Sequence, residues 1–245
     1  MSLFINIKKF KNTFLTPYHR YYYIQADERI KKSGEKSNKF IKIFYKYLSK
    51  FFWFFPTLES HRYWNDPHEK IKHRCEKYLD MDDSAKTLIN EISKRANKKD
   101  KVLDLCCNVG RHLNALNKIG YSNLYGVDIN KPAIQKMKTI YENLNSANIS
   151  YKSAESYLIN TKDNFFDLIY THGATVELIQ PTFPIVNEVC RVTKNYVIFL
   201  IQENGHAYPR FWRYEFKKNK MDLIYYKDCS GLSLLVYKKN NQNER

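Results

Sequence analysis

Val102-Leu103-Asp104-Leu105-Cys106-Cys107-Asn108-Val109-Gly110-Arg111-His112 runs from an apolar strand through a tight turn into the start of a helix. Outward from it, short apolar runs alternate with helix-like stretches, a rhythm that reads as βαβ units around a mostly parallel sheet. Strands are expected at Val102 to Leu105, Asn123 to Ile129, Ile149 to Lys152, Asp167 to Thr171 and Tyr196 to Gln202. Helical patterns lie between them at about 111–119, 131–144 and 183–193, the last opening after Pro181 and Pro184. Proline suits a first helical turn, since its φ is already helical and its missing N–H would be unpaired there. Asp222-Leu-Ile-Tyr-Tyr-Lys and Leu232-Ser-Leu-Leu-Val-Tyr, joined by Asp228-Cys-Ser-Gly231, read as a terminal antiparallel hairpin.

The chain has 245 residues, 43% of them apolar, with seven glycines and seven prolines, enough for one substantial core and against disorder or a collagenous repeat. Lysines interrupt every apolar run well before the roughly 18 to 20 residues that a membrane span needs. Forty-one basic against twenty-five acidic side chains give a formal charge of +16, which admits nucleic acid, anionic lipid or phosphorylated partners. Five scattered cysteines form neither a disulfide framework nor a CxxC metal pattern, and a reducing cytoplasm is expected. Met1 to Lys9 has too short an apolar stretch for a secretory signal.

Residues 1–83 read as a basic, aromatic, helical extension, followed by a domain over 84–240. Within the extension, Lys39, Lys42, Lys46 and Lys50 recur at helical spacing through an aromatic run that ends at Phe55. That 39–55 helix either packs on its own domain or on a dimer partner with its lysines solvated, or lies peripherally on an anionic membrane at the inner face.

Three further segments extend the opening motif. Eighteen residues beyond Gly110, Tyr125-Gly-Val-Asp128-Ile129 ends a second strand with an acid able to accept from vicinal ribose hydroxyls. Lys152-Ser153-Ala154-Glu155 ends the third, and Asn164-Phe-Phe-Asp-Leu-Ile-Tyr-Thr171-His172-Gly173 forms the fourth. In this order and spacing the segments resemble the motifs of class I S-adenosylmethionine (SAM) dependent methyltransferases, over about residues 84–238. A dinucleotide-binding turn would instead want three glycines in G-x-G-x-x-G. The resemblance implies an α/β fold: a Rossmann-like seven-stranded sheet, parallel with a terminal antiparallel hairpin. Asp104 and Gly110 match the family's D/E-x-G-x-G-x-G turn, while Cys106 and Asn108 stand where glycines are usual. Asparagine tolerates positive φ; Cys106 must avoid that region or be strained.

The resemblance further implies SAM as cofactor, leaving S-adenosylhomocysteine, with contacts from Asp104, Cys106, Asn108, Gly110, Arg111, Asp128, Ile129, Ser153, Ala154 and Thr171. No metal requirement is expected. His172 is the candidate general base for an alcohol acceptor, or a histidine that only shapes the pocket. Glu177 orients His172, binds an acceptor hydroxyl, or pairs with a surface lysine. After the fifth strand, His206, Tyr208, Arg210 and Trp212 form an acceptor pocket or pack a loop over the sheet. Cys-Asn-x-Gly-Arg and His-Gly-x-x-x-Glu-Leu resemble a bacterial subgroup associated with surface-polysaccharide or small-molecule modification, so O-methylation of a sugar or phosphorylated precursor is expected. The rivals are an RNA methyltransferase, supported by charge and interleaved tyrosines, and a SAM-binding or membrane-recruitment module that has lost catalysis.

Overall fold

The computed structural model describes residues 75–173, 176, 179, 183–203 and 212–240. The 39–55 helix, Glu177, His206, Tyr208 and Arg210 lie outside the described residues. Seven strands form one sheet: β1 Val102–Leu105, β2 Leu124–Asp128, β3 Asn148–Tyr151, β4 Phe166–His172, β5 Thr193–Ile201, β6 Met221–Cys229 and β7 Leu232–Lys239. Their order is β3-β2-β1-β4-β5-β7-β6, and β7 alone runs against the rest. Each expected strand is present, with ends moved by a few residues.

Among the described residues six α-helices cover the sheet: α1 Asp83–Ser93, α2 Arg111–Lys118, α3 Lys131–Ile140, α4 Ala154–Ile159, α5 Ile185–Val192 and α6 Trp212–Lys218. Helices α1 to α3 bury Leu88, Ile92, Leu113, Leu116, Ile134 and Met137 against one face of the sheet. Helices α4 to α6 bury Leu158, Ile185, Val189, Trp212 and Phe216 against the other. Parallel strands covered on both faces become continuous apolar runs, which is why Val102–Leu105 is buried at all four positions.

Local differences from the expected elements have physical causes. The helix expected over 131–144 stops at Ile140, and a 3-10 turn at Glu142–Leu144 follows. That turn buries Leu144 and lets the Asn143 amide donate to Asn114 and Asn117 of α2 at 3.1 and 2.8 Å. Helix α4 was not expected at all, having too few residues to show a period. Its start is capped by Ser153, whose Oγ accepts from the Ser156 N–H at 3.2 Å. Its last carbonyl groups meet Arg191, which donates to Leu158 and Thr161 oxygens at 2.8 and 2.9 Å and so ties α4 to α5.

The order of strands reverses at β1, whose neighbours are β2 and β4. In open α/β sheets the crevice beyond the C-terminal strand ends at such a reversal is where ligands bind. Leu105, Asp128 and His172 end the three strands concerned.

Candidate active site

The turn after β1 places three residues in the left-handed region: Cys106 at φ 69°, Asn108 at 48° and Gly110 at 72°. These are the three positions where the motif carries glycine, so the backbone path survives without two of the glycines. Cys106 does not avoid the region; it accepts the strain, which for a non-glycine residue is of order 1 to 3 kcal/mol. Asn108 softens its own cost, because its Oδ1 accepts from the Val109 N–H at 2.8 Å. Although Cys106 is left-handed, its thiol and that of Cys107 face apart. Cys106 packs on the α4–α6 side and Cys107 on the α1–α3 side. Burial pushes both thiols well above their usual range, so neither is a ready thiolate.

Asp128 fixes the other wall of the turn. Its Oδ2 accepts from the Asn108 N–H and its Oδ1 from the Asn130 N–H, both at 2.7 Å. Burial raises its carboxyl to about 6; the N–H groups of Asn130 and Asn108 oppose that rise and the Asp104 charge adds to it. Asn130 in turn caps α3, accepting from the Ala133 N–H at 3.0 Å. One acid therefore aligns both the turn and the helix beside it, with lone pairs left for further donors.

Asp104 is 1% exposed; its carboxylate lies beside the Tyr170 hydroxyl, and among the described residues neither oxygen has a hydrogen bond of good geometry. The nearest base is His112, Nδ1 at 3.6 Å from Oδ2. A buried carboxylate costs several kcal/mol unless a cation or donor reaches it, and His112 and Tyr170 are the groups that stand beside this one. Tyr170, buried beside it, is pushed well above the phenol range by burial and by the Asp104 charge.

Sequence reasoning did not place His112 in the site, yet it bridges the two sides. Its Nε2 lies 3.1 Å from His172 Nδ1, and Arg111 Nη2 lies 3.1 Å from the same atom. Arginine only donates, so His172 Nδ1 is the acceptor and the ring hydrogen of neutral His172 sits on Nε2. Burial, then His112 and Arg111, lower the His172 pKa to about 3, with Asp82 pulling the other way. The readable signals were an Arg-His pair straight after the turn and a histidine ending the fourth strand.

Arg111 is neither solvated nor open. It donates to the Asp80 carbonyl and stands 3.5 Å from Asp82, so it clamps the segment before α1 onto the site. Burial raises Asp82, but the Ala85 N–H and Arg111 outweigh it and hold the carboxyl below its usual value. Cys75 of the same segment packs on Val109 and Ala133.

The remaining expected contacts divide. The half-buried Ile129 follows β2, and the half-buried Ser153 and buried Ala154 lie at the start of α4, just beyond β3. The Ser153 oxygen already caps α4. Thr171 is fully buried, and its hydroxyl donates to the Leu105 carbonyl at 2.8 Å, pinning β4 to the end of β1. Trp212 is a correction: it is 1% exposed and packs edge-on to Phe199 at 5.9 Å, because α6 needs an anchor in the core. Its ring is not offered to an acceptor. Among the described residues no group of His, Cys, Asp or Glu is arranged to hold a metal, and no helix is long and apolar enough to cross a membrane.

A family model described as "Methyltransferase domain" matches residues 96–242. Among solved structures, similar folds include a TehB-like SAM-dependent methyltransferase from Corynebacterium glutamicum, 17% identical, TM-score 0.51, covering 64% of this chain and 88% of that one. Magnesium protoporphyrin IX methyltransferase from Synechocystis, solved with SAM bound, is 13% identical at TM-score 0.53, covering 64% and 78%. The [4+2]-cyclase SpnF is 11% identical, TM-score 0.53, covering 62% and 80%. Likenesses at this identity show the fold alone, and the cyclase among them shows that this fold hosts more than one reaction. No curated protein matches the sequence.

Proposed function

Because this chain belongs to the methyltransferase-domain family and is a class I SAM-dependent methyltransferase, we propose that it methylates an oxygen of a small acidic acceptor, a sugar acid or phosphorylated sugar precursor of a surface-glycan pathway. SAM, when bound, supplies an electrophilic methyl on a sulfonium centre. The protein's share is alignment and exclusion of water, effects that can supply roughly 7 to 11 kcal/mol. The residues present fit that cofactor. The buried Asp104 carboxylate answers an ammonium, the turn from Cys106 to Gly110 brings backbone forward, and Asp128 retains acceptor capacity for ribose hydroxyls. Ser153 and Ala154 border the base-binding end.

The observation that carries the acceptor class is the geometry at His172, whose Nδ1 lies 3.1 Å from Arg111 Nη2. An imidazole whose pKa has fallen to about 3 is a weak base. With Nδ1 taken by Arg111, its Nε2–H is a donor that orients an oxygen already ionised or readily so. That favours a carboxylate or acidic hydroxyl over an ordinary alcohol. Glu177, His206, Tyr208 and Arg210 follow the same strand ends in sequence, and they supply the remaining acceptor contacts, Arg210 by forking onto a carboxylate or phosphate.

The test offers methyl-labelled SAM with panels of sugar acids, sugar phosphates, neutral sugars and bulk RNA. Transfer to acidic sugars, weakened about tenfold or more in His172→Asn, is expected. Transfer confined to neutral alcohols or to RNA would overturn the acceptor assignment, and no SAM binding by calorimetry would overturn the cofactor assignment as well.

A further inference from the structure

Among the described residues strand β6 is an edge of the sheet, bonded only to β7. Of the eight large apolar side chains left exposed among the described residues, four cluster here: Leu223 at 36%, Ile224 at 48%, Tyr226 at 47% and, on the adjoining α6, Tyr214 at 68%. A long apolar edge is a template for another strand unless charge or a bulge blocks it. This edge has both, in Lys227 and in an extra residue between Leu223 and Tyr225. Neither blocks one particular pairing.

Against β7, Asp222 stands opposite Lys238, Leu223 opposite Tyr237, Tyr225 opposite Val236, Tyr226 opposite Leu235 and Lys227 opposite Leu234. Tyr237 and Leu235 belong to the core on the α4–α6 face, and Val236 and Leu234 to the core on the α1–α3 face. Leu223 and Tyr226 therefore share the first face, and Asp222 and Lys227 share the second. In an unbroken strand residues five apart would lie on opposite faces; the extra residue at Ile224 brings Asp222 and Lys227 together.

Two copies related by a two-fold axis through the sheet run antiparallel at this edge, and only residues of one face can stand opposite each other. We propose that β6 pairs with β6 of a second copy of this chain, Leu223 of each opposite Tyr226 of the other and Asp222 of each opposite Lys227 of the other. Each apolar contact and each ion pair forms twice, and one sheet continues through both molecules. In the β7 ladder Lys227 stands opposite Leu234, and the second copy sets an acid on its other side. Sliding the pairing so that Tyr226 meets Tyr226 sets Lys227 against Tyr225 and leaves both charges unmatched. The tyrosines are held in advance, Tyr226 under Arg213 at 4.7 Å and Tyr225 under Arg95 at 5.6 Å, which lowers the ordering cost of association.

Sedimentation equilibrium of the full chain tests this, with cooperative thermal unfolding checked for each variant. A dimer is expected that dissociates about tenfold more readily or worse in Lys227→Asp and in Asp222→Lys, each of which sets like charges opposite, and that is restored in the double exchange. Oxidation of Leu223→Cys/Tyr226→Cys is expected to link two chains covalently. A monomer at about 100 µM, a dimer indifferent to both single exchanges, or a monomer whose β6 amides resist hydrogen exchange because another segment covers them would each overturn the proposal. None of these outcomes depends on the methyl acceptor.

Discussion

Arg111 Nη2 donates to His172 Nδ1 at 3.1 Å, joining the residue that opens α2 to the residue that ends β4. The same guanidinium holds the Asp80 carbonyl and stands beside Asp82. One side chain thus fixes the tautomer of the reactive-edge histidine and the position of the segment lying against the turn.

Replacing Arg111 by Met should release both ends of that clamp. Amide hydrogen exchange over residues 76–82 is expected to speed up about tenfold or more, while exchange in β1 and β4 stays unchanged. Equal exchange in both proteins would show that Cys75 and its apolar contacts alone hold the segment.

His112 acts on His172 through the shared Nδ1 contact. In His112→Gln a neighbour that lowers the His172 pKa is lost, so the imidazole is expected to titrate above its wild-type value of about 3. NMR titration of the ring reads this directly. An unmoved value would leave burial and Arg111 as the causes.

Asp128 and His172 should push stability in opposite directions with pH. The folded Asp128 holds its proton up to about 6 rather than 3.8, so its contribution is full below the unfolded value and lost as pH rises through 6. The folded His172 titrates near 3 rather than 6.5, so its contribution is full above 6.5 and lost as pH falls towards 3. The melting temperature of wild type minus that of Asp128→Asn should therefore fall between pH 4 and 6, and that of wild type minus His172→Asn should rise between pH 5 and 7. Two flat differences would contradict both shifts.

Cofactor binding should follow the Asp128 carboxylate. SAM affinity measured by calorimetry is expected to weaken as pH drops below about 6, and Asp128→Ala should lose about tenfold or more at pH 7.5 along with the anchors of Asn108 and Asn130. Undiminished binding in the variant would remove Asp128 from the site.

The left-handed Cys106 gives a stability prediction of its own. Cys106→Gly relieves the backbone, and Cys106→Ala removes only the sulfur, so the glycine variant should unfold about 1 kcal/mol later than the alanine variant, roughly 2 to 4 °C in melting temperature. Equal melting points would mean that the turn carries no such strain.

The sheet was legible because each strand is a short apolar run between helix-like stretches, and the acid at 128 because it ends the second such run at a set distance from the Gly110 turn. Helix α4 was not legible, since six residues show no period and Ser153 looked like a ligand contact rather than a cap. The histidine pair was hidden for a different reason: 60 positions separate its members, and only the adjacency of β1 and β4 brings them together. Trp212 misled because a tryptophan beyond a strand end suits a ligand as well as a core, and residue type alone does not separate the two.

The turn of Cys106, Asn108 and Gly110 also bears on how such chains are found. A search by letters for the three-glycine pattern passes over it, whereas a search by torsion angles retains it at every position. Diversity in this loop is then better counted in conformations than in alphabets, and sequences with cysteine or asparagine at those places belong inside the search rather than beyond its margin.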